Sequence, residues 1–144
     1  MNRFLLLAIL LISGCAQYQL PPPPEDAAAK RFETLPDRAV IYLARHTLEP
    51  SYVAPVMLDD QMIGSTYRGT YMRIEVPAGT HVLRGMAGDS GSIKMTVAAG
   101  QIYYLQHRAY GYRSFASSSF SPVNRELGRS LVMTGQITAL VNHL

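Results

Sequence analysis

Short apolar or alternating runs, separated by turn residues, make up most of the chain from residue 38 onward. In residues 91–97 every second side chain is apolar, which is typical of a strand with one buried face. The run Arg38–His46 is apolar at most positions and predicts a strand that is covered on both faces. The predicted strands comprise residues 38–46, 53–58, 62–66, 71–76, 80–85, 91–97 and 101–110.

The pattern changes after Tyr110. Residues 111–121 are rich in serine and glycine and predict a loop or a frayed edge hairpin. The Ser121-Pro122 pair is typical of the start of a helix. The last apolar residues follow the i, i+3, i+4, i+7 spacing of a helix: Ile137, Leu140, Val141 and Leu144. The predicted fold is therefore an all-β, antiparallel, immunoglobulin-like β-sandwich of about seven strands with a short C-terminal helical segment.

The first residues follow the order of a secretory signal rather than that of a structural segment. Arg3 precedes an apolar run that is too short to span a membrane, and small residues follow it. The segment Ile12–Cys15 resembles the bacterial lipobox, whose cysteine is acylated and becomes the first mature residue. Cys15 is thus the expected lipidation site and membrane anchor, and the alternative is a secreted protein with a chance cysteine. Ala16 follows the cysteine where an aspartate could stand, which resembles lipoproteins that are sent on to the outer membrane, so the expected location is the outer membrane, facing the periplasm.

The chain is predicted to have four parts. Residues 1–14 form a lipoprotein signal peptide, and residues 15–36 form a lipidated, proline-rich tether with a possible short helix. Within the tether, Phe32 and Leu35 are expected to pack against the domain. Residues 37–121 form the β-sandwich domain, and residues 122–144 form a C-terminal helical extension packed on it.

The composition excludes several kinds of chemistry. Cys15 is the single cysteine, so an internal disulfide, a thiol redox centre and a cysteine-based zinc site are all excluded. The four histidines lack the spacing of a metal site, and no nucleophile motif or phosphate-binding glycine loop is present. We therefore predict no metal, no cofactor and no catalysis. The net charge of +3 is a mild excess that fits anionic lipid or acidic glycan, and nothing predicts nucleic-acid binding.

Three segments, in this order and spacing, resemble a known family. They are residues 56–64 (VMLDDQMIG), followed by Tyr71, then residues 76–83 (VPAGTHVL) and residues 99–104 (AGQIYY). This arrangement is similar to that of the bacterial lipoproteins with the domain of unknown function 2846, over about residues 28–132. The resemblance implies a small β-sandwich lipoprotein and no assigned function. This chain departs from the pattern at Asp59-Asp60, where Asp-Gly is usual in the tight turn.

Tyrosine and arginine are concentrated in three short segments, which is the composition of many contact surfaces. The alternative is that these segments are solvated loops and charged edge strands. The candidate partner-binding residues are Tyr67, Arg68, Tyr71, Arg73, Arg108, Tyr110, Tyr112 and Arg113. The predicted function is a lipid-anchored, non-catalytic envelope module that binds a protein or a glycan in the periplasm. The alternatives are a hydrolase or transferase acting on envelope polymers, and a structural or stress-related lipoprotein.

Overall fold

The computed structural model describes residues 24–88, 90–111 and 116–142. These residues form two packed β-sheets and two short helices. The all-β sandwich predicted from the alternation is confirmed, and the predicted strands lie within two residues of those observed. The strands are β1 (Ala39–Ala44), β2 (Ala54–Leu58), β3 (Gln61–Thr66), β4 (Thr70–Val76), β5 (Gly79–Gly85), β6 (Ser92–Val97), β7 (Ile102–Tyr110), β8 (Ser117–Pro122) and β9 (Gln136–Val141), and the helices are α1 (Pro24–Ala29) and α2 (Arg125–Thr134).

The larger sheet is mixed rather than antiparallel. Within the described residues its strand order is β8-β7-β1-β4-β9, and the order in the smaller sheet is β3-β2-β5-β6. All pairings in the smaller sheet are antiparallel, but β1 pairs with β7, and β4 with β9, in parallel. The prediction of a purely antiparallel sandwich is therefore wrong for the larger sheet. Two parallel neighbouring strands need a long connection between them. In both parallel pairs that connection includes β5 and β6 of the smaller sheet.

Strand β1 lies at the centre of the larger sheet and is buried along its whole length. Ala39, Ile41 and Leu43 belong to the core between the two sheets, where they pack with apolar residues from both. The alternate residues Val40 and Tyr42 belong to a second core on the outer face of the sheet. The near-continuous apolar run of β1 is thus explained by burial on both faces, as predicted.

The two helices cover the outer face of the larger sheet. Leu131 and Val132 of α2 and Ala29 of α1 belong to the outer core, together with Phe32 from the segment after α1. Phe32 is 7% exposed, so its predicted packing against the domain is confirmed. A Cβ atom at position 128 would lie 2.4 Å from the Cβ of Tyr104, so Gly128 allows α2 to pack closely on β7.

The C-terminal region differs from its prediction as a helical extension. Ser121 and Pro122 end strand β8, and α2 begins later, where the Asn124 side chain accepts a hydrogen bond from the Leu127 N–H at 2.9 Å. After α2 the chain forms β9, so the helix predicted from Ile137 and the apolar residues after it is wrong over residues 136–141. The segment Gln136–Val141 also alternates, and pairing with β4 satisfies its backbone in a way that a surface helix would not.

Asp59 and Asp60 form the tight turn between β2 and β3. Both residues have positive φ angles, 48° and 66°, which is the backbone conformation of a type I′ hairpin turn. Aspartate tolerates this conformation less well than glycine does. Here Asp59 compensates through its side chain, because one carboxylate oxygen accepts the Val82 N–H at 2.8 Å and the other lies 2.6 Å from His81 Nδ1.

Candidate binding surface

Two connections and a strand end meet at one end of the sandwich, which we call the loop end. They are residues 46–53 between β1 and β2, residues 67–69 between β3 and β4, and residues 108–111 at the end of β7. Hydrogen bonds join them. The Gly69 N–H donates to the His46 C=O at 3.2 Å, and the Ala109 N–H donates to a Glu49 carboxylate oxygen at 3.3 Å. The loop end is therefore one continuous surface built from segments that are distant in the sequence.

A buried arginine holds the loop end together from below. Arg45 is 1% exposed, and its guanidinium donates to the carbonyls of Pro50 and Tyr52 at 2.7 Å each and to that of Thr66 at 3.1 Å. Burial lowers the pKa of Arg45 from its ordinary value. Sequence reasoning missed this role, although a charged residue directly after the apolar run of β1 was a usable signal.

His107 lies in the core beneath the same surface. Its Nδ1 atom is 2.8 Å from the Thr66 hydroxyl and its Nε2 atom is 2.8 Å from the Ser118 hydroxyl. The ring also stacks on Phe120, with centroids 4.7 Å apart. Burial, with a smaller contribution from the charge of Arg45, lowers the pKa of His107 to about 3. The imidazole is therefore neutral at physiological pH, with one ring nitrogen donating and the other accepting.

The pairing of His107 with Ser118 has the contact distance of a nucleophile and its general base. Two features separate it from a catalytic site. His107, Ser118 and Thr66 are all fully buried, so a substrate has no access to them in this structure. The group that orients the imidazole is a hydroxyl and not a carboxylate, and it cannot stabilise an imidazolium as an acid does. The array is therefore suited to joining β3, β7 and β8 inside the core.

The structure divides the eight predicted partner-binding residues into three groups. Tyr67, Arg68, Arg108 and Tyr110 are exposed at the loop end. Tyr71 and Arg73 are buried on the outer face of the larger sheet, so their prediction as surface contacts is wrong. Tyr112 and Arg113 lie outside the described residues, as does the predicted lipidation site, Cys15.

Tyr71 and Arg73 attach the segment that precedes the sandwich. The Tyr71 hydroxyl donates to a carboxylate oxygen of Asp26 in α1 at 2.9 Å, and Lys30 lies 2.7 Å from the other oxygen. Burial by itself raises the pKa of Asp26, but the hydrogen bonds from Lys30, Tyr71 and the Ile137 N–H outweigh it and hold that pKa below its ordinary value. Arg73 donates to the Glu33 carbonyl of that segment at 3.3 Å and to the Tyr42 hydroxyl of β1 at 2.6 Å. The sequence indicated the alternation of β4 and a possible short helix before the sandwich, but it did not indicate that this helix lies over the outer face of β4.

The opposite end of the sandwich carries a partly exposed ion pair between His81 and Asp59. His81 Nε2 also lies 2.9 Å from the Pro77 carbonyl, so both ring nitrogens have acceptors. Burial by itself lowers the pKa of His81, but the hydrogen bonds to Asp59 and Pro77 outweigh it and raise the pKa. With these contacts His81 is a hydrogen-bonded structural residue that fixes the aspartate turn.

Within residues 24–88, 90–111 and 116–142, no group of three or more histidine, cysteine, aspartate or glutamate residues is placed to hold a metal ion. The same residues contain no helix that is long and apolar enough to cross a membrane. The chain matches no family model, no curated protein and no solved structure.

Proposed function

We propose that this protein is a non-catalytic binding module, anchored by a lipid at Cys15 to the cell envelope and facing the periplasm from the outer membrane. The lipobox-like segment Ile12–Cys15 supports the anchor. The resemblance to lipoproteins with the domain of unknown function 2846 supports the envelope location. In this proposal the loop end binds a protein or glycan partner of the envelope, and the tether keeps it near the membrane.

The observation that carries the proposal is the exposure of large side chains at the loop end. Leu48 is 87% exposed, and Tyr67 and Tyr110 are 45% and 46% exposed. Arg68 and Arg108 lie on the same end of the sandwich. Tyrosine loses little conformational entropy on binding, and arginine both stacks on rings and pairs with anions, so this combination suits a contact surface.

The immunoglobulin-like type of the sandwich is part of the same proposal. The packing of two sheets supports it, and the parallel pairs β1/β7 and β4/β9 are departures from the two antiparallel sheets of that fold. A binding role does not depend on this finer classification, because the site is made by connections at the end of the strands and not by the strand order.

The test is a crosslinked pull-down of the full-length protein from membranes, with a parallel co-sedimentation with purified cell-wall polysaccharide. A variant carrying Tyr67→Ala and Arg68→Ala should lose most of the captured partner or the co-sedimenting fraction. Met62→Ala is the matched control, because Met62 is 50% exposed at the opposite end of the sandwich. Equal capture by the wild type and the loop-end variant would reject the site. Absence of labelled fatty acid from the wild type would reject the anchor.

A further inference from the structure

One stretch of β7 has a neighbouring strand on one side only. Strand β1 pairs with β7 from Ile102 onward, whereas β8 pairs with β7 only from Leu105 onward. Beyond the end of β8, the Val123 N–H donates to the Tyr104 C=O at 3.0 Å. Within the described residues, Ile102 therefore has no neighbouring strand on the side away from β1.

The hydrogen bonds of the neighbouring residues show where the backbone of Ile102 points. The Val40 N–H of β1 donates to the Gln101 C=O at 2.9 Å, so the carbonyl of Gln101 points toward β1. Successive residues of a strand direct their backbone groups to opposite sides, so Ile102 directs its N–H and C=O away from β1. The bond from Val123 to Tyr104, two residues further on, follows the same alternation.

A groove of about 480 Å³ lies along this part of β7. Phe32 and Val123 line it on the outer-face side of the sheet, and Met95 and Tyr103 line it on the side of the smaller sheet. A strand placed beside Ile102 would turn its side chains alternately toward these two walls. The groove therefore offers both a backbone edge and two apolar walls, which are the parts used in recognition by strand addition.

The groove also has a cationic end. Among its lining residues the structure places Arg125, which is exposed in the first turn of α2. Next to it, the guanidinium carbon of Arg129 lies 4.1 Å from the centroid of the Phe32 ring. Two arginines beside the groove complement an acidic side chain or a terminal carboxylate of an incoming peptide.

We propose that the Ile102 edge of β7 is a second binding site, which takes an extended, acidic peptide segment of a partner protein as an added strand. The site is separate from the loop end, since Ile102 is at the start of β7 and the loop end is at its other end. It does not depend on what the loop end binds.

The probe is a phage-displayed library of random twelve-residue peptides, selected against residues 15–144 carrying Cys15→Ser. Enriched peptides should contain acidic residues and, when titrated by NMR, should shift the amide signals of Ile102, Tyr104 and Val123. Ile102→Pro removes the groove-facing N–H but no donor to β1, and should weaken binding at least about tenfold. Ile102→Val keeps the N–H and should bind as the wild type does. Arg125→Glu should weaken the binding of acidic peptides.

If the Ile102→Pro variant does not fold, a second measurement tests the same backbone contact in the protein with Ile102 intact. Methylation of alternate backbone nitrogens in the peptide should abolish binding in one register and leave it intact in the other, because a strand presents every second N–H to its neighbour. Failure to enrich any peptide, shifts confined to the loop end, or equal binding of both methylated peptides would overturn the proposal. Two other results would also overturn it. One is a wild-type dimer that dissociates when Ile102→Pro is introduced, and the other is a shift of the Ile102 amide signal when residues 16–23 are replaced with a Gly-Ser linker. These two results would assign the edge to a second copy or to the chain's own tether.

Discussion

Protonation of His107 should make the domain less stable as the pH falls. In the folded protein the pKa of His107 is lowered to about 3 by burial, whereas in the unfolded chain it takes the ordinary value of about 6.5. Below pH 6.5 the unfolded chain therefore binds a proton that the folded protein does not bind. The stability that depends on a neutral His107 is fully present above pH 6.5 and is lost progressively between pH 6.5 and pH 3.

The size of the stability loss follows from how far the pH lies below the pKa of His107 in the unfolded chain. Each pH unit below 6.5 costs about 1.4 kcal/mol, so the loss is about 2 kcal/mol at pH 5 and about 3.5 kcal/mol at pH 4. His107 is fully buried, so solvent screening does not reduce these values. Because a domain of this size is stable by roughly 5–15 kcal/mol, a loss of this size is readily measured.

The assay is urea unfolding of residues 15–144 carrying Cys15→Ser, followed by circular dichroism at pH 7, 6, 5 and 4. The comparison variant carries His107→Gln, whose amide donates and accepts hydrogen bonds but does not titrate. The free energy of unfolding of the wild type, minus that of the variant, should fall by about 2 kcal/mol between pH 7 and pH 5. Other titrating groups, His81 included, are common to both proteins and cancel. Parallel pH profiles, or an NMR titration of His107 with a midpoint near pH 6.5, would refute the reasoning.

Three further predictions concern stability. Tyr71→Phe removes the hydrogen bond to the buried carboxylate of α1 and should lower the free energy of unfolding by about 1–2 kcal/mol, whereas Tyr67→Phe at the exposed loop end should change it by less than about 0.5 kcal/mol. The pKa of His81 is raised in the folded protein, so the stabilisation from its protonated form should be complete below about pH 6.5 and lost as the pH rises through the folded pKa. The free energies of unfolding of the wild type and His81→Asn, measured with urea, should therefore converge at high pH. A difference that stays constant with pH would contradict this. Arg45→Met should lower stability by about 3 kcal/mol and increase amide hydrogen exchange in residues 46–53 more than in β5; uniform exchange would argue against a local role.

Sequence reasoning located the strands well because the alternation of side chains is a local property. Residues 91–97 show it directly, and β6 is found at Ser92–Val97. The same reasoning failed at Gln136–Val141, where two periods fit the residues equally well. Ile137, Leu140 and Val141 match a helical stripe, and Ile137, Ala139 and Val141 match a strand. The outcome depends on the free edge of β4, which no local pattern contains.

The sequence predicted only part of the candidate site, because the rest again depends on segments that are far apart in the chain. Tyr67, Arg68, Arg108 and Tyr110 were predicted from composition, and they do lie at one end of the sandwich. Composition did not separate them from Tyr71 and Arg73, which have the same residue types. The difference is what covers them, since α1 lies over the outer face of β4 and leaves the loop end open.

The amino-acid sequence by itself determined the positions of β1 to β7, the turns between them and the absence of an internal disulfide, because each follows from the residues concerned and their nearest neighbours in the chain. Only the tertiary structure decided which strands run in parallel, which polar side chains are buried together and where a strand edge lacks a partner. Those properties arise between segments far apart in the chain, such as Thr66, His107 and Ser118, and they depend on how the two sheets and the helices exclude water from one another.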